Sequence, residues 1–229
     1  MEFDTFRLAA ATGTLADEPA ARDHADLVEF RLDLAEEPLA ALRAYDGPTP
    51  LLVTNRPRWE GGQTAPYGRL DTLAAAVAFE SVVAVDVELA TLRGRPPGTN
   101  DTGVAELRER IRETETTLIA SVHDFDGTPD REALDGLVRA AAAAGDVGKV
   151  AVTAETPDDA LRLLGATRRA TARGDRVATM AMGEAGAHTR AVAPVYGSRI
   201  GYAPVHEAEA TAPGQYDLAT LRELVAQLS

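Results

Sequence analysis

Lys149 is the residue whose type and position most directly suggest covalent chemistry. It is the only lysine in the chain, because every other residue among the 23 lysines and arginines is an arginine. A guanidinium keeps its proton at biological pH, whereas an amine can lose one and become a nucleophile. Lys149 also falls in an apolar run, where burial and neighbouring cations such as Arg31 and Arg56 favour the neutral amine. We therefore predict that Lys149 attacks a ketone and forms an imine.

His123 is the residue predicted to move the proton that such an imine makes acidic. An iminium withdraws electrons from the adjacent carbon, so an ordinary base can remove a proton there. Imidazole, with an ordinary pKa of about 6.5, suits this task and can return the proton to a leaving hydroxyl. Glu60 lies in a loop from which it could hold one imidazole tautomer. The alternative is a core histidine that is merely hydrogen-bonded, and the expected proximity of Lys149 argues against it.

Short apolar runs alternate with helical patterns along the whole chain. Eight such runs at this length predict a closed parallel (β/α)8 barrel, or TIM barrel, that forms a single catalytic domain over residues 1–229. The connections at Leu15–Asp26 and after Met182 carry the weakest pattern. The predicted strands are Phe6–Ala11, Leu27–Leu32, Leu51–Thr54, Val82–Glu88, Thr117–His123, Val147–Thr153, Val177–Met182 and Ser198–Ala203, and the predicted helices are Pro38–Ala44, Arg69–Phe79, Val104–Thr114, Arg131–Ala144, Pro157–Arg173 and Leu218–Leu228.

Ionisable residues converge from five of these strands. Both faces of a barrel strand are covered, so a charge within one needs a reason. Barrel enzymes build their sites at the carboxyl ends of the strands, where most of these residues fall. For any one pair an internal salt bridge is the alternative, but convergence from five strands favours a site. Alternation predicts these inward-facing sets: Glu29, Arg31 and Asp33; Thr54 and Arg56; Asp86 and Glu88; Ser121 and His123; Lys149 and Ala151.

The composition limits the possible partners and chemistry. A net charge of −13 and a pI near 4.7 disfavour binding to nucleic acid or an anionic membrane. Cysteine is absent, which excludes disulfides, thiolate metal sites and thiol catalysis. The segment Met1–Ala11 resembles neither a signal peptide nor a membrane span, so we expect a cytoplasmic protein. The acidic composition is typical of adaptation to high salt.

Taken together, these residues resemble the type I 3-dehydroquinate dehydratases. The matching segments occur in the family's order with similar spacings, and they cover almost the whole chain. The segments are Glu29–Asp33, Thr54–Arg56 with Glu60–Gly62, Asp86–Leu89, Ser121–Phe125, Gly148–Val152, Met182–Arg190, Tyr196–Ser198 and Ala212–Gln215.

The resemblance implies a reaction and a role for each matching residue. The reaction is the syn dehydration of 3-dehydroquinate to 3-dehydroshikimate through a lysine Schiff base, in the shikimate pathway of aromatic amino acid biosynthesis, with no cofactor and no metal. Lys149 matches the Schiff-base lysine, His123 the acid/base and Glu60 its orienting carboxylate. Relatives are commonly homodimers, which the resemblance implies here too. The implied substrate-binding residues are Glu29, Arg31, Arg56, Arg190 as the clamp on the substrate carboxylate, Thr211 and Gln215.

Three positions depart from the family pattern. The first strand reads Ala9-Ala10-Ala11 where many relatives have a serine. Thr211 stands where a serine is usual in the loop that closes over the ligand, and Tyr202 replaces a frequent phenylalanine. We expect these departures to alter individual substrate contacts and to leave the imine chemistry intact.

Three other functions compete with this interpretation. The run Asp124–Thr128 resembles the nucleophile motif of haloacid dehalogenase-like phosphatases, although that motif usually opens the chain and a polar loop explains it as well. A class I aldolase would use Lys149 and the barrel but gives no role to Ser121–Phe125 or Glu60. A non-catalytic ligand-binding barrel is the third alternative, and it would often accept arginine in place of Lys149.

Overall fold

The computed structural model describes residues 1, 3–94, 103–206 and 215–228, so the predicted site residue Thr211 lies outside the described residues. The strands are β1 (Arg7–Thr12), β2 (Leu27–Arg31), β3 (Leu51–Thr54), β4 (Val82–Glu88), β5 (Thr117–Asp124), β6 (Val147–Thr153), β7 (Val177–Met182) and β8 (Ile200–Pro204). They form one sheet with the strand order β7-β6-β5-β4-β3-β2-β1-β8, and all paired neighbours are parallel. This arrangement confirms the predicted (β/α)8 barrel.

Helices connect the strands and cover the outside of the sheet. Asp130 begins one of them by accepting a hydrogen bond from the Ala133 amide at 2.9 Å. In the described ranges, no helix is long and apolar enough to cross a membrane. The helices are α1 (Glu18–Ala21), α2 (Pro38–Ala44), α3 (Arg69–Ala76), α4 (Leu89–Leu92), α5 (Val104–Thr114), α6 (Arg131–Ala142), α7 (Pro157–Ala172), α8 (Thr189–Val192) and α9 (Leu218–Leu228).

The barrel closes where β7 meets β8. The Arg199 amide donates to the Val177 carbonyl at 2.7 Å, and the Thr179 amide donates to Ser198 Oγ at 3.0 Å. The Ser198 side chain therefore takes the place of a main-chain partner at this seam. β8 begins at Ile200, two residues after the predicted start, where its pairing with β1 begins.

Alternation along the strands separates an apolar layer from the charged residues inside the barrel. Two positions before the first buried inward polar residue of each of the strands β2 to β6 lies a buried apolar one, as with Leu27 before Glu29 and Val147 before Lys149. The outward residues, such as Phe30, pack against the helices in a separate core. The apolar inner layer therefore fills the barrel below the charged side chains.

The two connections with the weakest sequence pattern contain short helices that were not predicted. The connection Leu15–Asp26 contains α1, and the one after Met182 contains α8, flanked by 3-10 turns at Glu184–Gly186 and Ala193–Tyr196. Helices of four residues are too short to produce a helical periodicity. The missed α8 matters because it carries Arg190.

Candidate active site

A cavity of about 670 Å³, open mouth included, lies at the carboxyl ends of the strands. All the predicted site residues that the structure describes line it: Glu29, Arg31, Arg56, Glu60, His123, Lys149, Arg190 and Gln215. The rest of the cavity wall is formed by small, apolar and aromatic residues together with one threonine. These additional residues are Ala11, Thr54, Gly61, Phe125, Ala151, Met180, Met182 and Tyr202.

Lys149 lies on β6 with its side chain buried at the base of this cavity. Its Nζ donates a hydrogen bond to Asp86 Oδ2 at 2.9 Å and lies 3.7 Å from Glu29 Oε1. The Tyr202 ring centroid is 4.0 Å from Nζ, within cation–π range. Two carboxylates therefore lie within 4 Å of Nζ, whereas the sequence led us to expect the cations Arg31 and Arg56 beside it. Parallel pairing brings this about, because β4 and β6 both flank β5.

Asp86 joins Lys149 to Arg56. Its Oδ1 accepts hydrogen bonds from Arg56 Nη2 at 2.7 Å and from Ser121 Oγ at 2.5 Å. Burial alone would raise the pKa of Asp86, but the Arg56 and Lys149 cations outweigh it and hold this pKa well below its usual range. Asp86 is therefore an anion at neutral pH, and it fixes the position of the amine.

Arg56 is surrounded by carboxylates. Its Nη1 donates to Glu88 Oε1 at 2.7 Å and to Ser121 Oγ at 2.8 Å, and Arg69 reaches the other Glu88 oxygen at 2.8 Å. Burial lowers the pKa of Arg56, but Asp86 and Glu88 more than compensate, so this pKa is raised. With its donors committed in this way, Arg56 orders the site.

His123 and Glu60 form a hydrogen-bonded pair at the mouth of the cavity. His123 Nδ1 lies 2.8 Å from Glu60 Oε2, and Glu60 sits on a 3-10 turn at Arg58–Glu60. Burial, together with Arg56 and Lys149, lowers the pKa of His123 well below its ordinary value. Burial also raises the pKa of Glu60 to about 8, against the opposing effect of Arg56. Both shifts favour the uncharged form of each partner.

Asp33 holds the loop that presents Glu60. Its Oδ1 accepts from Arg31 Nε at 2.8 Å and from the Arg56 amide at 3.3 Å. Its Oδ2 accepts from Arg31 Nη2 at 2.7 Å and from the Gln63 amide at 3.2 Å. One carboxylate thus fixes both Arg31 and the two ends of the loop 56–63.

Arg190 supplies a buried cation from α8. Its Nη1 donates to the Ala181 carbonyl at 2.7 Å. Burial lowers the pKa of Arg190 to about 10, with Tyr216 opposing the change. The side chain is therefore charged at neutral pH in a poorly hydrated wall of the cavity, where an anion would bind it strongly.

Some residues in the cavity wall or next to it were not predicted as site residues. Asp86, which contacts Lys149, was placed inside the barrel but given no role, and Phe125, Met180 and Met182 were not connected with the cavity wall. The signal for the methionines is present, because Ala178, Met180 and Met182 alternate along β7 as Ser121 and His123 do along β5.

Asp124, the nucleophile of the phosphatase alternative, is used within its own loop. Its Oδ1 accepts hydrogen bonds from the Asp126 amide at 3.1 Å and the Gly127 amide at 3.2 Å, as in an Asx turn. The carboxylate thus stabilises a turn, which agrees with the interpretation of Asp124–Thr128 as a polar loop and not as a phosphatase motif.

Comparison with known proteins identifies the family. Residues 10–229 match the family model described as Type I 3-dehydroquinase. The chain belongs to the type I 3-dehydroquinase family. A 3-dehydroquinate dehydratase of Haloarcula marismortui is 58% identical over 229 residues, covering 100% of this chain and 98% of the relative. One from Halobacterium salinarum is 52% identical over the whole of both chains.

Solved structures of type I 3-dehydroquinases share the fold. The crystal structure of 3-dehydroquinate dehydratase from Geobacillus kaustophilus matches with a TM-score of 0.83 at 30% identity, covering 97% of this chain and 90% of the other. The Clostridium difficile type I enzyme, solved with covalently modified comenic acid, matches at 0.82 with 24% identity, covering 98% and 92%. Two departures from the family pattern, Ala11 and Tyr202, lie in the cavity wall of this type I 3-dehydroquinase.

Proposed function

We propose that this chain dehydrates 3-dehydroquinate to 3-dehydroshikimate through an imine on Lys149, as a carbon–oxygen lyase of the shikimate pathway. The observation that carries the proposal is the placement of the sole lysine in one cavity with the hydrogen-bonded pair His123 and Glu60. Dehydration beside a ketone needs an imine-forming amine and a proton-transfer group, and this cavity has both. Family membership supports the choice of substrate.

The reaction proceeds in four steps. His123 takes a proton from Lys149, whose neutral amine then adds to the ketone; the resulting hydroxyl takes that proton back and leaves as water, which forms a cationic imine. His123 Nε2 removes a proton from the adjacent carbon, and that electron pair moves toward the imine nitrogen. The enamine then expels the hydroxyl, which takes the proton from His123 and departs as water. A second water hydrolyses the remaining imine, which releases the product and the amine.

The Glu60 carboxyl allows His123 to act first as base and then as acid. The reaction starts from the form of the pair in which Glu60 is ionised, so that Nδ1–H donates to it and Nε2 is the acceptor. This form increases as the pH rises toward the Glu60 pKa of about 8. Once Nε2 carries the proton, the Nδ1 proton can pass to Glu60, because burial raises the pKa of Glu60 to about 8 and lowers that of His123. The pair then holds the extra proton without separating charge in a poorly hydrated site.

Asp86 stabilises the cationic imine that forms on Lys149. It remains an anion, and Oδ2 is within hydrogen-bond distance of the lysine nitrogen. The Tyr202 ring, on another side of the nitrogen, also favours a cation. A charge that develops next to groups already fixed in place requires little reorganisation.

Arg190 binds the substrate carboxylate. A guanidinium forms two parallel hydrogen bonds with a carboxylate, and the buried position of Arg190 strengthens the attraction. This local cation explains how a protein of net charge −13 holds an anionic substrate.

The remaining assignments complete the proposal. Glu29 and Arg31 contact ring hydroxyls, Arg56 orders the site, and Gln215 and Thr211 bind the substrate. Residues 1–229 act as a single catalytic domain that needs neither cofactor nor metal. We expect a homodimer that works in the cytoplasm.

Steady-state turnover tests this function. The enone product absorbs in the ultraviolet, so 3-dehydroquinate is added and the absorbance followed. We expect turnover by the unmodified protein and none by Lys149→Arg, which keeps the positive charge beside Asp86 but cannot form an imine. His123→Gln should lower kcat by about 10²–10⁴-fold. A folded Lys149→Arg protein that still turned over would rule out the imine mechanism.

A further inference from the structure

Phe125 is a large apolar residue that stays half exposed at the mouth of the cavity. Its side chain is 50% exposed, although it directly follows the buried strand β5. Its ring lies nearly parallel to the His123 imidazole, with centroids 6.1 Å apart and an interplanar angle of 14°. This geometry is within the range of offset aromatic stacking. The two rings are therefore nearly parallel and offset from one another at the mouth.

The same ring contacts the loop that carries Glu60. Gly61 follows Glu60, and a Cβ at Gly61 would lie 2.7 Å from Phe125 Cζ. The ring occupies the space that any larger residue at position 61 would need. Phe125 thus lies against His123 and against the residue next to Glu60, that is, against both segments that carry the hydrogen-bonded pair.

The main chain around Phe125 is fixed to β6 and to its own turn. Thr153 Oγ1 donates to the Phe125 carbonyl at 3.1 Å. Thr128 Oγ1 donates to the Thr153 carbonyl at 2.7 Å, and the Asp124 carboxylate closes the turn that follows Phe125 by accepting two amide hydrogen bonds. Hydrogen bonds thus fix the main chain that carries the ring.

We propose that Phe125 is a positioning residue for the His123–Glu60 pair, which holds the plane of the imidazole and covers the pair on its solvent side. The inference rests on the proposed function, in which this pair moves the proton. Ionisable groups at five positions lie close enough to act on the imidazole electrostatically, and Phe125 adds an apolar group at the mouth. Those groups are Glu60 on its loop, Arg56 after β3, Arg31 on β2, Asp86 on β4 and Lys149 on β6.

Replacing Phe125 with alanine removes both effects, whereas Phe125→Leu keeps the apolar cover and loses the stacked ring. The control is Leu161→Ala, which removes another apolar side chain that is 63% exposed, on α7. In Phe125→Ala water reaches the pair, so charge separation costs less and the proton moves from Glu60 to the imidazole. Phe125→Leu should retain the neutral imidazole.

Two measurements test the role of Phe125. The first is kcat and KM for 3-dehydroquinate, and we expect Phe125→Ala to lower kcat by about 10- to 100-fold with little change in KM. The second is the ring ¹⁵N signals of His123 below pH 8, assigned by their loss in His123→Gln. These signals should change from neutral imidazole to imidazolium in Phe125→Ala only.

The proposal is overturned if either readout stays at its unmodified value in Phe125→Ala, or if Leu161→Ala changes both equally. Turnover by the unmodified protein, measured in the same assay, tests the proposed function separately. Without that turnover the function fails, while the ring signals still report whether Phe125 governs the state of the pair.

Discussion

Ion pairs inside the barrel and on its surface have similar distances but different surroundings. Arg56 meets Asp86 and Glu88 at 2.7 Å with all three side chains buried. On the surface, Arg110 meets Glu113 at 3.2 Å, with more than half of each side chain exposed. Water and salt screen the surface pair, whereas each interior charge depends on its partner. Burial, more than distance, therefore decides which charged residues matter for the fold and the site.

The largest expected effect follows from breaking the interior network. Arg56→Ala leaves Asp86 and Glu88 buried beside fewer cations, and we expect it to lower the free energy of unfolding by about 3–5 kcal/mol. Urea denaturation checks this. A variant that also carries Asp86→Asn and Glu88→Gln should recover much of the loss, because the buried charges are then gone. No recovery would mean that the packing of Arg56, and not its charge, stabilises the barrel.

The second effect concerns pH and Glu60. Because burial raises the pKa of Glu60 from 4.5 to about 8, the stability it contributes is complete below pH 4.5 and is lost as the pH rises through 8. Glu60→Gln cannot ionise. Its free energy of unfolding should therefore exceed that of the unmodified protein by an amount that grows over this range and reaches at least about 1 kcal/mol. Thermal unfolding from pH 5 to pH 9 tests it, and a constant difference would contradict the raised pKa.

The sequence predicted much of the fold and most of the candidate site. Alternation in β2 to β6 placed Glu29, Arg56, His123 and Lys149 inside the barrel, because side-chain direction along a strand is a local property. Seven of the fourteen predicted elements agree with the structure at both ends, namely β3, β4, β6, β7, α2, α5 and α9.

The contacts between elements could not be predicted from local sequence patterns. Alternation does not specify the register that brings Asp86 to Lys149, and it cannot show that Arg69 enters from α3 to pair with Glu88. Nor could it reveal that Ser198 forms the seam with β7. Such contacts depend on three-dimensional packing between segments that are distant in sequence.

A smaller effect is expected at Tyr202, a buried polar group inside the barrel. Its hydroxyl has no hydrogen-bond partner among the described residues, whereas the Tyr45 hydroxyl donates to the Thr49 carbonyl at 2.6 Å. We expect Tyr202→Phe to raise the free energy of unfolding by about 1 kcal/mol and Tyr45→Phe to lower it by a similar amount. Calorimetry compares the two. Destabilisation by Tyr202→Phe would show that the hydroxyl is satisfied.

The smallest effect is expected at the surface. Arg110→Ala breaks the pair with Glu113 and should change the free energy of unfolding by at most about 0.5 kcal/mol. Urea denaturation at low and high salt checks this, because screening should reduce even that difference. A change as large as that of Arg56→Ala would remove the contrast between interior and surface pairs.

The imine on Lys149 is tested most directly by reductive trapping. The protein is incubated with 3-dehydroquinate and borohydride, digested and analysed by mass spectrometry for the modified peptide. We expect one covalent adduct on Lys149 and none in Lys149→Arg. An unmodified Lys149 in protein that converts the substrate, or an equal adduct in Lys149→Arg, would contradict the proposed mechanism.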